Sequence, residues 1–253
     1  MLPMKALRGI ARGVRSALRS CGFDIIRYEA SGDPFARRVE LIRRRSIDVV
    51  LDVGANDGPY AKALRDGGFG GRIVSFEPQA EAYARLAREA AGDPLWETHK
   101  VAVAASNGRA LLHVAANSSS SSLLPMTEQH TMSAPESRYV GEEDVEVISL
   151  DSLGDGLLSP AERGYLKVDV QGAELDVLRG AERLLSRAHA VEVELSLARL
   201  YEGGSLLSEV IAHLEKAGFV LLWLDPVFVD PVSDQLLQVD GVFARRPDSA
   251  RLR

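Results

Sequence analysis

The feature that most constrains this chain is an apolar run that ends in a glycine-rich turn and continues as a helix. The run Ile47–Gly54, IDVVLDVG, is short, apolar and β-branched, which predicts a buried strand of a parallel sheet. The turn GANDG follows, and a helix is predicted from Tyr60 to Asp66, closed by Gly67 and Gly68. Such a turn lets a ligand approach the main chain. We therefore expect a ligand site at the carboxyl end of this strand.

Strands and helices continue to alternate after this turn. The stretch RIVSFEP at 72–78 predicts a second strand, a helix follows as far as Gly92, and KVAVAA at 100–105 predicts a third strand. This βαβαβ order indicates a parallel α/β sheet. The pattern loosens between Ser106 and Arg163 and then resumes. We expect one doubly wound α/β domain over residues 46–253, with an insertion at about 106–163.

The insertion contains its own local signals. RALLHVA at 109–115 predicts an antiparallel return strand, and VEVISLDSL at 145–153 predicts another strand. Between them, the serine-rich stretch Asn117–Pro125 predicts a loop that closes over a bound acceptor, and His130 is a further candidate base. Beyond the insertion, GAELDVLRGAERLLS at 172–186 predicts a single helix.

The residues of the glycine turn restrict the class of ligand. A P-loop needs Gly-Lys-Ser/Thr, but Pro and Tyr follow Gly58. A dinucleotide fingerprint needs a second glycine where Asn56 stands, and the carboxylates of Asp52 and Asp57 would repel a pyrophosphate. Glu77, at the end of the second strand, can accept hydrogen bonds from two ribose hydroxyls. A ligand with a positive centre, a ribose and no phosphate fits these residues, and S-adenosylmethionine is such a ligand.

Several motifs in sequence order resemble the FkbM family of S-adenosylmethionine-dependent methyltransferases. They are VLDVGANDGPYA, SFEP, VAVAASNG, the serine run followed by Leu-Leu, ISLDSL and LKVDVQGAELDVLRGAERLL. The resemblance covers the chain from about Ile47 to Arg245. It implies the class I methyltransferase (Rossmann-like) sheet of seven strands with the last strand antiparallel. It also implies methyl transfer to a hydroxyl of a sugar or a polyketide-type product.

Eight residues at the strand ends are the expected contacts of S-adenosylmethionine. Those that shape the methionine side of the pocket are Asp52, Gly54, Asn56 and Gly58. Those that hold the ribose and the adenine, or line the adenine edge, are Glu77, Pro78, Val101 and Ala102.

Three carboxylates further along the chain are the candidate catalytic residues. Asp169 ends a predicted strand, Glu174 starts the next helix, and Glu194 ends the following strand. Two functions remain open: Asp169 or Glu194 acts as general base for the acceptor hydroxyl, or the three residues together hold Mg²⁺, which polarises it. In a third interpretation Lys167 only neutralises Asp169, Glu174 is a helix N-terminal acid, and orientation provides most of the catalysis.

The N-terminal residues 1–45 predict a helical extension with arginines and apolar residues at helical spacing. Two roles stay open for it: a cap packed on the domain, or a cationic helix that contacts an anionic membrane surface. The arginines interrupt any apolar core of a secretory signal, and a single cysteine, Cys21, excludes an internal disulfide and any cysteine-based metal cluster. These features predict a cytoplasmic protein, free or at the inner face of the membrane; homodimer formation is left open.

The formal net charge of −6 argues against a nucleic-acid partner. A small-molecule O-methyltransferase acting on a glycolipid, a glycoside or another secondary metabolite is the favoured function. The competing functions are a nucleic-acid methyltransferase and a non-catalytic module that binds S-adenosylmethionine. The first lacks support because DVQG stands where amino-methylating enzymes carry an Asn-Pro-Pro-Tyr type of motif. The second is disfavoured because the three carboxylates are intact.

Overall fold

The computed structural model describes residues 19–21 and 33–246. Of the predicted N-terminal extension 1–45, residues 1–18 and 22–32 lie outside the described residues, and its role as a cap or a membrane-surface helix stays a prediction. The helices are α1 Pro34–Arg44, α2 Pro59–Asp66, α3 Ala80–Ala90, α4 Glu128–Ser133, α5 Glu174–Arg179, α6 Glu182–Arg187 and α7 Leu207–Lys216. In the described part of the chain, none of the helices combines the length and the apolar character needed to cross a membrane.

Within the described residues, ten strands form two sheets. The strands are β1 Val49–Val53, β2 Arg72–Phe76, β3 Trp96–His99, β4 Ala102–Val103, β5 Gly108–Ala115, β6 Tyr139–Ile148, β7 Gly164–Val168, β8 Ala188–Ser196, β9 Phe219–Val229 and β10 Leu236–Arg245. Seven of them form the main sheet in the order β3-β2-β1-β7-β8-β10-β9. The pairs among β1, β2, β3, β7 and β8 are parallel, whereas β10 is antiparallel to both of its neighbours. The predicted seven-stranded α/β sheet with its last strand antiparallel is confirmed.

The central strands are apolar because both of their faces are covered. All five residues of β1 are buried, and so are all five of β7. Side chains such as Leu51, Leu166 and Val193 are fully inaccessible to solvent and pack in one continuous core. Burial on both faces explains why these strands are continuous apolar runs and not alternating ones.

The third strand of the main sheet is Trp96–His99, so its prediction at 100–105 was wrong. Ala102–Val103 instead forms β4 and pairs in parallel with β6. Ala102 is 4% exposed and packs with Leu112 and Val147 in the core of the smaller sheet. The sequence pattern correctly predicts an apolar strand within the run at 100–105. It cannot predict that this strand is buried in a second sheet, because periodicity carries no information about which sheet a strand joins.

The insertion supplies β5 and β6 of that smaller sheet, whose order is β4-β6-β5; β5 and β6 are antiparallel. The predicted return strand at 109–115 is therefore present as β5. The strand predicted at 145–153 ends at Ile148, and a 3₁₀ segment, Leu150–Gly156, follows it. The single helix predicted at 172–186 is two helices, α5 and α6. A Cβ on the intervening Gly180 would lie 2.1 Å from the carbonyl oxygen of Ala104, so only glycine fits this break.

The parallel register carries the predicted site residues to one edge of the sheet. Val53, the last residue of β1, is paired with Phe76 on one side and Val168 on the other. The residues that follow these three strand ends, Gly54, Glu77 and Asp169, therefore lie at the same carboxyl edge. Ligands of open parallel sheets bind at this edge.

Candidate active site

The turn after β1 needs glycine at its first position. Gly54 has φ 77°, and a Cβ added there would lie 1.7 Å from the carbonyl oxygen of Asp169. Gly58 has φ 93°, and a Cβ there would contact Leu86 at 3.0 Å and Trp96 at 3.1 Å. Asn56 between them is also left-handed, at φ 49°, a conformation that asparagine tolerates better than most residues. The turn is therefore a compact main-chain cradle that leaves no room for larger side chains at its two glycines.

We expect Gly54→Ala to lower the free energy of unfolding by about 2–4 kcal/mol, because a left-handed alanine is strained and its Cβ overlaps a backbone oxygen. Gly68→Ala is a matched control. Gly68 has a similar φ of 86°, but no atom lies within 4 Å of the position that a Cβ would take. In this control the free energy of unfolding should fall by only about 1–2 kcal/mol, the cost of the left-handed backbone conformation alone. Urea unfolding measures both values, and equal losses in the two variants would contradict the overlap.

Glu77 supports the glycine turn from the end of β2. Its Oε2 accepts a hydrogen bond from the backbone N–H of Asn56, and its Oε1 accepts one from the N–H of Gln79, both at 2.8 Å. The residue is 7% exposed. Burial raises the pKa of Glu77 to about 7, against the lowering effect of these two N–H donors. Each carboxylate oxygen keeps a further lone pair for another donor.

A buried lysine joins the ends of β1 and β7. Lys167 Nζ donates to the carbonyl oxygen of Gly54 at 3.0 Å and lies 3.3 Å from Asp52 Oδ1 and 3.4 Å from Asp169 Oδ2. Asp52 is fully buried, and the Lys167 side chain is 11% exposed. Burial disfavours the ammonium, but the charges of Asp169, Asp52 and Glu192 outweigh burial and raise the pKa of Lys167. The lysine therefore stays charged between the two aspartates.

Asp169 and Glu194 meet at one side-chain amide. Gln171 Nε2 donates to Asp169 Oδ1 and to Glu194 Oε2, both at 2.8 Å. Gln238 Nε2 donates to the same Glu194 oxygen at 2.6 Å. Glu194 is 7% exposed, whereas the Asp169 side chain is 35% exposed. Burial and the charges of Asp169 and Glu174 raise the pKa of Glu194 well above its usual range.

Glu174 lies behind this pair and contacts the backbone of the turn. Its Oε1 accepts hydrogen bonds from the N–H groups of Gly172 at 2.9 Å and Val170 at 3.3 Å. Only 1% of Glu174 is exposed, and burial raises its pKa to about 7. No group of three or more His, Cys, Asp and Glu side chains within the described residues has an arrangement suited to a metal ion. The structure thus pairs Asp169 with Glu194 and turns Glu174 towards the main chain.

The serine-rich stretch connects the two turns of the site. Ser118 Oγ donates to Asn56 Oδ1 at 2.9 Å, and Asn56 Nδ2 donates to Ser119 Oγ at 3.1 Å. At the other end, Ser122 Oγ donates to the carbonyl oxygen of Gln171 at 2.6 Å. A 3₁₀ turn, Ser118–Ser120, gives the stretch its shape. It therefore lies between the glycine turn and the carboxylate pair, on the ligand side of the sheet.

The remaining predicted residues lie around the same edge. Val101 packs against the main core, and Ala102 is enclosed in the smaller sheet. Pro78 follows Glu77 and is partly exposed. Their contact with an adenine stays a prediction. His130 is 3% exposed, and its ring meets the ring of Tyr201 edge-on, with centroids 5.0 Å apart.

The site contains residues that the sequence analysis did not assign. Gln171 and Gln238 donate to the carboxylate pair, and Tyr201 donates to Gln171. Below them, the hydroxyls of Tyr60 and Tyr165 both donate to Glu192 Oε2, at 2.6 and 2.7 Å. The sole local signal for Gln171 is its place in the DVQG turn; the others are distant in sequence and give none.

Comparison with known proteins found a matching family model and a similar protein. Residues 52–221 match the model of the methyltransferase FkbM domain. The chain is similar to the 2-O-methyltransferase NoeI of Sinorhizobium fredii (strain NBRC 101917 / NGR234), with 26% identity over 185 residues, covering 70% of this chain and 75% of the relative.

Solved structures that are similar include an rRNA methylase from Streptococcus thermophilus, 10% identical, which covers 85% of this chain and 98% of its own, with a TM-score of 0.47. Another is the magnesium protoporphyrin IX methyltransferase of Synechocystis PCC 6803, 10% identical, covering 93% of this chain and 97% of its own, with a TM-score of 0.45. Because the FkbM domain model spans most of the sequence, from the glycine turn to β9, this chain belongs to the FkbM family of methyltransferases.

Proposed function

We propose that the protein is an S-adenosylmethionine-dependent O-methyltransferase of small molecules. The acceptor is a hydroxyl of a sugar, in a glycoside or glycolipid, or of a polyketide-type product. The observation that carries the proposal is the position of Asp169, the carboxylate of the Asp169–Glu194 pair that is substantially exposed, directly beside the glycine turn. The similarity to a 2-O-methyltransferase supports a hydroxyl as the acceptor.

The residues of the site fit S-adenosylmethionine by their shape and charge. The cradle at Gly54 admits only main chain, and Asp52, Glu77 and Asp169 around it suit a cationic ligand without a phosphate. When bound, S-adenosylmethionine supplies a methyl group on a positively charged sulfur. We assign Asp52, Gly54, Asn56 and Gly58 to its methionine side. We assign the ribose and adenine to Glu77, Pro78, Val101 and Ala102.

Asp169 is the general base in this proposal. An alcohol has a very high pKa, so its oxygen attacks effectively only if its proton is taken up as the new C–O bond forms. Asp169 Oδ2 is held by Lys167 and Oδ1 by Gln171, which leaves a lone pair on each oxygen for an acceptor hydroxyl. Glu194 is the weaker candidate because it is buried and its Oε2 already accepts hydrogen bonds from both Gln171 and Gln238. Mg²⁺ held by Asp169, Glu174 and Glu194 is the alternative, and chelation together with isosteric substitution distinguishes the two.

A turnover assay tests the proposal. S-adenosylhomocysteine formation should be detected with at least one member of a panel of glycosides, glycolipids and hydroxylated polyketides, and not with RNA. Wild-type protein that binds NAD and does not bind S-adenosylhomocysteine would end the methyltransferase interpretation. Turnover on RNA alone would favour a nucleic-acid methyltransferase, and binding of S-adenosylhomocysteine without turnover on any acceptor would favour a binding module.

We expect Glu77→Ala to weaken binding of S-adenosylhomocysteine by about 1.5–3 kcal/mol, because hydrogen bonds from the ribose to a charged group are lost. Isothermal titration calorimetry measures the change. Glu97→Ala is the matched control, since Glu97 lies on β3 with its side chain 55% exposed and its carboxylate contacts the ring of His99 at the surface, at 2.8 Å. Equal affinity of wild type and Glu77→Ala would refute the ribose assignment.

The pH dependence of the same titration gives a second check. The pKa of Glu77 is raised to about 7, and hydroxyl donors bind the ionised carboxylate better than the protonated one. Affinity for S-adenosylhomocysteine should therefore rise as the pH increases through about 7 and level off above it. This dependence should vanish in Glu77→Ala.

A further inference from the structure

The turn after β7 has an unusual residue at its centre. Gln171 has φ 57°, in the left-handed region that residues with a long side chain rarely adopt. The next residue, Gly172, has φ 104°, and a Cβ there would lie 2.8 Å from Tyr201 Cβ. Such strain persists where surrounding contacts fix the conformation, and it concentrates at functional sites. The contacts that hold Gln171 involve its side-chain amide and its backbone carbonyl.

The amide of Gln171 uses both of its ends. Because Nε2 donates to Asp169 and to Glu194, each amide hydrogen has a carboxyl partner. At the opposite end, the hydroxyl of Tyr201 donates to Gln171 Oε1 at 2.7 Å. The backbone carbonyl of Gln171 accepts from Ser122. Four contacts therefore join this one residue to β7, β8, the serine-rich stretch and the segment before α7.

The carboxyl groups determine which end of the amide faces them, and Tyr201 binds the opposite end. If the amide were reversed, Oε1 would face Asp169 and Glu194, and acceptor would meet acceptor. In the observed orientation the phenol donates to Oε1, and its other neighbour, the carbonyl oxygen of Ser120, is more distant at 3.2 Å. Tyr201 itself is 1% exposed and packed against His130. The Tyr201 hydroxyl is therefore held in place, and it in turn holds the oxygen end of the Gln171 amide.

We propose that Gln171 is a positioning residue, supported by Tyr201, that holds Asp169 towards the acceptor and Glu194 behind it. The inference rests on the proposed function of Asp169 as general base. A glutamine suits this place because it donates to two carboxyl groups and carries no charge. A glutamate would donate to one of them at most, and only when protonated. A glutamate at position 171 would keep the shape of the side chain, but it would no longer hold Asp169 towards the acceptor and Glu194 behind it.

The first arm of the test needs no acceptor. In protein with nitrogen-15-labelled glutamine, the side-chain amide signal of Gln171, assigned by its loss in Gln171→Glu, should move in Asp169→Asn and again in Glu194→Gln. The signal of Gln238 should move in Glu194→Gln and much less in Asp169→Asn, because Gln238 contacts Glu194. The signal of Gln235, which is exposed, should stay in place in both variants. A Gln171 signal that neither variant moves would overturn the proposal.

The second arm measures turnover on the glycoside that gives the fastest S-adenosylhomocysteine formation in the panel. Gln171→Glu should lower kcat by about 10–100-fold through misplacement of Asp169, with the dissociation constant of S-adenosylhomocysteine unchanged within about 2-fold. Tyr201→Phe should produce a smaller loss in the same direction. Gln235→Glu, which adds the same charge at an exposed position, should retain wild-type kcat. Wild-type kcat in Gln171→Glu would also overturn the proposal.

The two arms separate this inference from the proposed function. If no hydroxyl compound is methylated but the Gln171 signal responds to both carboxyl variants, the O-methyltransferase proposal fails and the contact geometry stands. If glycosides are methylated and Gln171→Glu is fully active, the proposed function stands and the positioning role fails.

Discussion

Replacing Asp169 with asparagine should lower kcat by about 10²–10⁴-fold, the usual contribution of a general base. The asparagine keeps the size of the side chain and can still accept from Gln171, so the fold and the turn should be preserved. It cannot take up the proton of an alcohol. Affinity for S-adenosylhomocysteine, measured by calorimetry, should stay within about 3-fold, because the change removes an interaction that matters only as the acceptor reacts.

Glu194→Gln shows which of the two carboxyl groups, Asp169 or Glu194, acts as the general base. Glu194 is buried and its Oε2 accepts from both Gln171 and Gln238, so an acceptor hydroxyl reaches it less easily than Asp169, and its amide isostere should lose less than about 10-fold in kcat. A loss as large as that of Asp169→Asn would assign the base to Glu194.

Metal dependence gives a different pattern of results. If Mg²⁺ acts at this site, a chelator should abolish wild-type activity and added Mg²⁺ should restore it. Asp169→Asn, Glu174→Gln and Glu194→Gln should then all be severely impaired, since each removes an oxygen ligand. Activity within a few-fold of wild type in all three variants would refute both the base and the metal interpretation.

Replacing Lys167 with methionine should lower the free energy of unfolding by about 3–5 kcal/mol, the typical result of removing one partner from a buried ion pair. Methionine fills much of the same space, so the loss reflects charge and hydrogen bonding more than a cavity. Asp52, fully buried, would lose the cation that stabilises its carboxylate, and the carbonyl of Gly54 would lose its donor. Chemical denaturation at neutral pH measures the change.

Two further variants test the cause of this loss. Asp52→Asn combined with Lys167→Met removes both charges and should recover a large part of the lost stability. Lys62→Met is the matched control, since the side chain of Lys62 is 61% exposed and forms an ion pair with Glu89 at 3.4 Å; its expected loss is less than about 1 kcal/mol. The deficit of Lys167→Met should also narrow at lower pH, because protonation neutralises the unpaired Asp52. A pH-independent deficit would indicate a packing defect instead.

Features of this fold could be predicted from the sequence where the interactions that produce them join residues close together in the chain. The β1 strand, its glycine turn and the helix after it could be predicted because apolar runs, glycine and turn residues act within a few positions of each other. The same local logic placed Glu77 and Asp169 at strand ends. Parallel pairing then places strand ends at one edge of the sheet, so the neighbourhood of Gly54, Glu77 and Asp169 followed from order alone.

The third strand and the helix after β7 show where local signals stop. Residues 100–105 have the apolar character of a strand, but tertiary packing assigns the run to the smaller sheet and gives the main sheet Trp96–His99. Gly180 is locally compatible with a continuous helix, and only the approach of the Ala104 carbonyl requires a break there. In both cases a segment distant in sequence decided between two locally acceptable structures.

The sequence by itself determined the class of fold, the glycine cradle and the carboxylates at the strand ends, because strand, turn and helix propensities are local. Only the tertiary structure decided how those carboxylates differ. Gln171 reaches Glu194 across 23 positions, Gln238 reaches it across 44, and Asn56 reaches Ser119 across 63. Burial and hydrogen bonding separate a partly exposed Asp169 from a buried Glu194, and both depend on neighbours that only the folded chain brings together.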